Sequence, residues 1–138
     1  TALLQPEIRS GAVAVLAGDD GALVIRIEGA GMFATGSDAI RARYRAVVDR
    51  VGQALGPEAG RVLVVAHTDD QTPRGGGLPT PEALTEARAM AVLKILERTL
   101  GTERLTAEGR GEREPLAPNT TPANRGANRR VDVRLYPE

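Results

Sequence analysis

The apolar run Val64-Val65-Ala66 stops on His67-Thr68-Asp69-Asp70, and further along Arg88 stands among Leu84, Ala91, Val92 and Ile95. These residue types suit recognition chemistry. A carboxylate such as Asp69 accepts hydrogen bonds from an ammonium, and a guanidinium such as Arg88 grips a carboxylate through two parallel bonds. Between them an amino-acid head group would fit. The alternative is internal, with Asp69 neutralising Arg88 and tying a helix to a sheet, because a partly buried arginine usually has a carboxylate partner. The residues alone leave both readings open.

Other chemistries find little support. His67 is the only histidine and there is no cysteine, so a metal would lack companion ligands, and neither a metal nor a cofactor is expected. Ser10 and Ser37 have no paired base in the pattern. The glycine run Gly75-Gly76-Gly77 lacks the Gly-Lys-Ser/Thr ending of a phosphate-binding loop. An enzyme is therefore not expected. Asp19-Asp20-Gly21 reads as a hairpin turn, since the remaining spacing of a calcium loop is missing.

The elements that must position Asp69 and Arg88 follow from periodicity. Residues 1–11 show no period and read as a lead-in, leaving 12–138 as one domain. Ala12 to Leu16 and Leu23, Ile25, Ile27 alternate around the turn at Gly18-Asp19-Asp20-Gly21 as two strands. Ser37 or Asp38 can cap a helix carrying Ile40, Tyr44, Val47, Val48, Val51 and Leu55 at helical spacing, closed by Gly56-Pro57. Arg61 to Ala66 is apolar on both faces and reads as a central strand ending at the polar group.

Thr80-Pro81 opens a second helix that runs to about Leu100, with Arg88 inside its apolar stripe. Leu105 to Gly109 is a short strand. Glu112 to Ala127 reads as a loop, and Val131, Val133 and Leu135 alternate with Arg130, Asp132 and Arg134 as a half-exposed final strand. On that strand Arg129 shares the face of Val131 and Val133, aimed inward, while Arg130 points the other way. The fold class is α/β (α+β): a mixed sheet covered by two main helices, in the order ββαβαββ.

At 138 residues the chain suits one domain. Lys plus Arg and Asp plus Glu balance at 18 each, which removes the broad positive field that drives binding to phosphate backbones. Nucleic acid is not an expected partner. No apolar run approaches the ~20 residues that span a bilayer. The missing initiator Met points to a fragment whose membrane segment would lie upstream.

Five stretches, taken together, resemble a known family. They are Phe33-Ala34-Thr35-Gly36-Ser37, His67-Thr68-Asp69, Leu84-Thr85 with Ala87-Arg88-Ala89, Glu108-Gly109-Arg110-Gly111-Glu112 with Pro115, and Asn128-Arg129-Arg130-Val131. From about Ala12 to Leu135 the chain looks like the OmpA-like domain, a periplasmic module that binds peptidoglycan. Gln71 and Arg74 in the long loop, and Pro115 to Pro122, are similar to the C-terminal extensions of the type VI secretion protein TssL, with the flagellar stator protein MotB close behind. Gly31-Met32 before Phe33, and Asp70-Gln71, favour the secretion branch.

The resemblance implies a noncatalytic wall anchor in which Asp69 and Arg88 hold the amino and carboxylate groups of meso-diaminopimelate. Thr35, Thr68, Leu84, Thr85 and Arg129 would line the same pocket, with His67 positioning the strand end. It further implies peptidoglycan and other secretion membrane-complex proteins as partners, a homodimer as a possible assembly, and a periplasmic domain of an inner-membrane protein. The chain departs from the family pattern at Pro81, where Asn is usual, and at Ala66, Asp70, Thr85 and Asn124. Proline offers no hydrogen bond from its nitrogen, so one polar contact of the pocket is absent. A module that kept the fold for protein assembly and lost the ligand is the competing expectation.

Overall fold

Strands that alternate apolar with polar residues need one covered face, and this chain provides it with two helices laid across a single sheet. The computed structural model describes residues 4–28, 31–34, 36–70 and 80–137. In order along the chain come α1 (Gln5–Ser10), β1 (Val13–Ala17), β2 (Leu23–Glu28), α2 (Ala42–Leu55), β3 (Arg61–His67), α3 (Pro81–Leu100), β4 (Leu105–Gly109), α4 (Pro122–Asn128) and β5 (Arg130–Tyr136). The five strands order as β1-β2-β5-β3-β4. Only β3 and β4 are parallel, joined by the crossover helix α3. The expected mixed sheet under two main helices is thus what the chain forms.

One face of the sheet supplies Ile25, Ile27, Val62, Val64, Val131 and Val133 to the core. There α2 adds Tyr44, Val48 and Val51, and α3 adds Ala89, Val92 and Leu96. α3 begins as its sequence requires: the Thr80 side chain accepts a hydrogen bond from the Ala83 N–H, and Pro81 occupies the first turn, where its missing N–H is harmless. The structure departs from expectation at α2, which starts at Ala42 with no side-chain cap. Ser37 Oγ accepts from Ala39 N–H at 3.0 Å instead, and Ile40 pairs with Phe33 in a β-bridge. Ile40 continued the helical period by coincidence.

Two short helices lie where no period was visible. α1 brings Leu4 fully into the core and anchors itself through an ion pair of Glu7 with Arg50 at 2.9 Å. α4 interrupts the expected loop, its Thr121-Pro122 start repeating the Thr80-Pro81 start of α3. Both are too short for an apolar stripe to repeat.

β5 also differs: it is a central strand, with Arg130 and Asp132 buried rather than half exposed. Asp132 receives Arg26 through both carboxylate oxygens, at 2.9 and 3.1 Å, and Arg130 Nη2 donates to the Glu114 carbonyl at 3.1 Å. Alternation reported polarity correctly. It said nothing about the charged layer on this face or the loop before α4, whose Glu114 carbonyl meets Arg130 there.

α3 lies very close to β4. A Cβ built on Gly109 would collide with the backbone nitrogen of Glu86 and with Thr85 Oγ1. Backbone cannot yield as a side-chain tip does, so Gly109→Ala must push the helix off the sheet. The expected outcome is a loss of about 3 kcal/mol in urea unfolding, with an unchanged denaturant slope.

Candidate functional site

Arg88 is 6% exposed, on the stripe of α3 that faces the sheet. A guanidinium keeps its charge, so its burial demands acceptors. They come from the loop before α2: Nε donates to the Ser37 carbonyl at 2.8 Å and Nη2 to the Ala34 carbonyl at 3.2 Å. The guanidinium carbon also sits 4.6 Å from the centre of the Phe33 ring. Burial, and then the neighbouring Arg129 charge, push the Arg88 pKa down to about 10, while Asp69 and Asp38 hold it up. Arg88 therefore stays charged near neutral pH. Among the described residues Nη1 donates no hydrogen bond, so Nη1 and the second proton of Nη2 form an end-on pair able to grip a carboxylate.

Asp69 follows the C-terminal end of β3 and is 2% exposed. Among the described residues its ion pair is with Arg129, whose Nη1 lies 3.5 Å from Oδ2, and not with Arg88. The internal Asp69–Arg88 pair considered above therefore does not form. Arg129 lies at the end of α4 just before β5, and its side chain is 39% exposed. It reaches Asp69 from the rim instead of pointing into the core.

The remaining predicted residues divide by what they touch. Thr85 is fully buried, donating to the Pro81 carbonyl at 2.8 Å and accepting from the Gly111 N–H at 3.0 Å. The Thr68 N–H donates to the Gly111 carbonyl at 2.9 Å. One glycine thus straps the end of β3 to the start of α3, and its φ of 58° is a conformation that favours glycine. Leu84 is buried at the start of the same helix. Thr35 and the loop segment with Gln71, Arg74 and Gly75 to Gly77 lie outside the described residues.

Sequence reasoning gave no site role to Phe33, the only phenylalanine in a chain with two other aromatic residues, both tyrosine. That scarcity was the available signal. It also gave none to Asn128, which is fully buried and accepts from Leu116 and Ala117 N–H at 2.7 and 3.1 Å. Its amide donates to the Ala117 carbonyl at 2.8 Å, fixing the loop that leads into α4.

A cluster of buried charges where a central strand ends, between the crossover helix α3 and the loop before α2, is suited to noncovalent binding on a two-layer α/β frame. The chain belongs to the OmpA family, whose sequence profile matches residues 32–129. Its structure is similar to the cell wall anchor of the type VI secretion system from Pseudomonas aeruginosa, with a TM-score of 0.86 and 34% identity over 99% of this chain and 96% of that one. It shares its fold with a MotB-like protein from Desulfovibrio vulgaris, with a TM-score of 0.88 and 24% identity over 99% of this chain and 88% of that one. Outer membrane porin F of Pseudomonas fluorescens is 37% identical over 78 residues, 56% of this chain. The chain spans 9% and 23% of the lengths of the curated relatives it matches. Among the described residues no helix is long and apolar enough to cross a membrane.

His67 ends β3 two residues before Asp69, 4% exposed and across the ladder from Arg130. Its Nδ1 is buried without a hydrogen-bond partner among the described residues. Burial, and then the Arg130 charge, push its pKa down to about 4 from 6.5. The folded state thus prefers neutral imidazole, while the unfolded chain takes up a proton at higher pH. This contribution is complete above pH 6.5 and is lost as pH falls toward 4, up to roughly 3 kcal/mol. Urea midpoints measured from pH 7 to 4 should fall in the parent, and His67→Gln should flatten that slope.

Proposed function

We propose that this domain is a noncatalytic anchor that holds a membrane-embedded assembly to the cell wall by gripping the meso-diaminopimelate of peptidoglycan stem peptides. The carrying observation is that Asp69 and Arg88 are both buried, and close enough for the Asp69 charge to act on the guanidinium, yet are not each other's ion-pair partner, with the end of the guanidinium turned to no acceptor among the described residues. Asp69 takes the ammonium and the Arg88 end takes the carboxylate of the same amino-acid centre. Thr35, Thr68, Leu84, Thr85 and Arg129 border the ligand, Thr68 and Thr85 acting mainly by bracing the recess. Similarity to the Pseudomonas aeruginosa cell wall anchor supports this reading and favours type VI secretion over the flagellar motor as the parent system. The domain then lies in the periplasm, tethered to an inner-membrane protein and its complex.

A second reading rests on Arg129, whose contact with Asp69 places a cation where the ligand ammonium would go. In that reading the recess is satisfied from within and the domain serves protein assembly.

Calorimetric titration separates the two. A stem peptide containing diaminopimelate should bind saturably, and one with lysine in its place should bind at least tenfold more weakly, about 1.4 kcal/mol. Asp69→Asn and Arg88→Lys should each lose binding to the first peptide and retention on purified sacculi while the circular dichroism spectrum is kept. No binding of either peptide at millimolar concentration would rule out the anchor and leave the assembly role.

A further inference from the structure

Ile25 and Ile27 of β2 enter the core, so by alternation Val24 and Arg26 lie on the face of the sheet away from α2 and α3. The register sets Leu16 of β1 and Arg134 of β5 on either side of Val24. These four residues line a groove of about 400 Å³, together with Asp19 and Asp20 of the β1–β2 turn and with Arg110 and Glu114 after β4. Neither Asp69 nor Arg88 belongs to it.

Three guanidiniums line the groove, and carboxylates hold each of them. Asp132 accepts from Nε and Nη2 of Arg26 at 2.9 and 3.1 Å, Asp20 from Nη2 of Arg134 at 2.9 Å, and Glu108 and Glu114 from Nε and Nη1 of Arg110 at 2.7 and 3.1 Å. Arg134 Nε also donates to the Tyr136 hydroxyl at 3.1 Å. What remains is Nη1 of Arg26, Nη1 of Arg134 and Nη2 of Arg110, which donate no hydrogen bond among the described residues and stay open to solvent. On the acceptor side, Glu114 Oε2 and the Asp19 carboxylate receive none among those residues.

We propose that this groove is a carbohydrate site that takes the hydroxyl-bearing ring of a neutral sugar. The charges of its lining decide the class. Arg26, Arg110 and Arg134 are matched by Asp19, Asp20 and Glu114, so no net field draws in a phosphate, a free carboxylate or an acidic peptide. With Leu16 and Val24 as its largest apolar side chains, the lining is also too polar for a hydrophobic ligand. Donors and acceptors standing side by side suit a hydroxyl, which gives one hydrogen bond and receives two, and two neighbouring hydroxyls can bridge a guanidinium N–H and a carboxylate oxygen. Leu16, 38% exposed beside Val24, offers the C–H face of the ring an apolar support. Because the ion pairs already fix the guanidiniums, little side-chain freedom is lost on binding. An open, mostly polar groove should hold a short oligosaccharide with a Kd of roughly 1 mM. The inference stands independently of the ligand held by Asp69 and Arg88.

Chitotriose, a neutral oligomer of N-acetylglucosamine that carries no peptide, is the probe. In an NMR titration it should shift the backbone amides of Leu16 to Val24 and of Arg110 to Glu114 saturably, and inorganic phosphate should not. Arg110→Gln and Leu16→Ser change different sides of the groove at side chains that are at least partly exposed, where ion pairs and apolar contacts add little stability. Each should therefore keep the thermal midpoint of the parent while weakening sugar binding at least fivefold. No saturable shift at ten times the expected Kd, shifts confined to other surfaces, binding unaltered in both variants, or phosphate bound in preference to the sugar would overturn the proposal.

Discussion

A guanidinium cannot shed its proton near neutral pH, so placing Arg88 on the sheet-facing stripe of α3 obliges the rest of the chain to supply acceptors for it. The carbonyls of Ala34 and Ser37 do so, with the Phe33 ring against the guanidinium. The dependence runs in both directions. The loop from Met32 to Arg41 precedes a helix without a side-chain cap, and its shape is held by the Phe33–Ile40 bridge, the Arg41 N–H bond to Met32 and the arginine itself. The residue best suited to grip a ligand carboxylate is therefore also the peg on which one wall of the recess hangs. A charge-preserving substitution separates those two duties more cleanly than truncation does.

The second constraint is depth. Asp69 and Arg88 come from different elements, and their relative height depends on how β3, β4 and α3 are strapped together. Gly109 lets the helix lie against β4, and Gly111 bonds Thr68 on one side and Thr85 on the other. Residues that resemble ligand contacts in a motif thus have a mechanical role that their chemistry alone does not reveal. Thr85 shows this best: its hydroxyl is consumed by Pro81 and Gly111, so any effect it has on recognition passes through the position of the helix start.

Much of this was legible in the sequence because the decisive signals were periodic. Arg88 was visible as a charge inside an apolar stripe, and β3 as an apolar run ending on polar residues. Thr80-Pro81 and Gly101, whose φ of 74° favours glycine, marked the ends of α3 by local stereochemistry. What stayed hidden was either too short to repeat or tertiary in origin. α1 and α4 span fewer than two full turns, and Ile40 kept the helical period while belonging to a bridge. The choice of Arg129 over Arg88 as the ion-pair partner of Asp69 depends on where the end of α4 delivers the chain, which no local pattern encodes.

Arg129 and Arg130 show how sheet parity divides labour between adjacent, identical side chains. Arg129, just before the strand, reaches the recess and meets Asp69, while Arg130, the first residue of β5, falls on the opposite face with Asp132 and Arg26. Arg130 Nε and Nη1 are buried without hydrogen-bond partners among the described residues, and Nε stands 3.7 Å from Asp132, too far for a good bond. Such a cluster adds little net stability, since desolvation offsets most of the Coulomb attraction, but a slip of β5 by one residue would exchange Arg129, just before the strand, and Arg130, its first residue, between faces. The slipped strand would bury Asp132 in the apolar core. Charges on the face away from the helices therefore fix the register that aims Arg129 at Asp69, which makes the layer remote from the recess a determinant of its geometry.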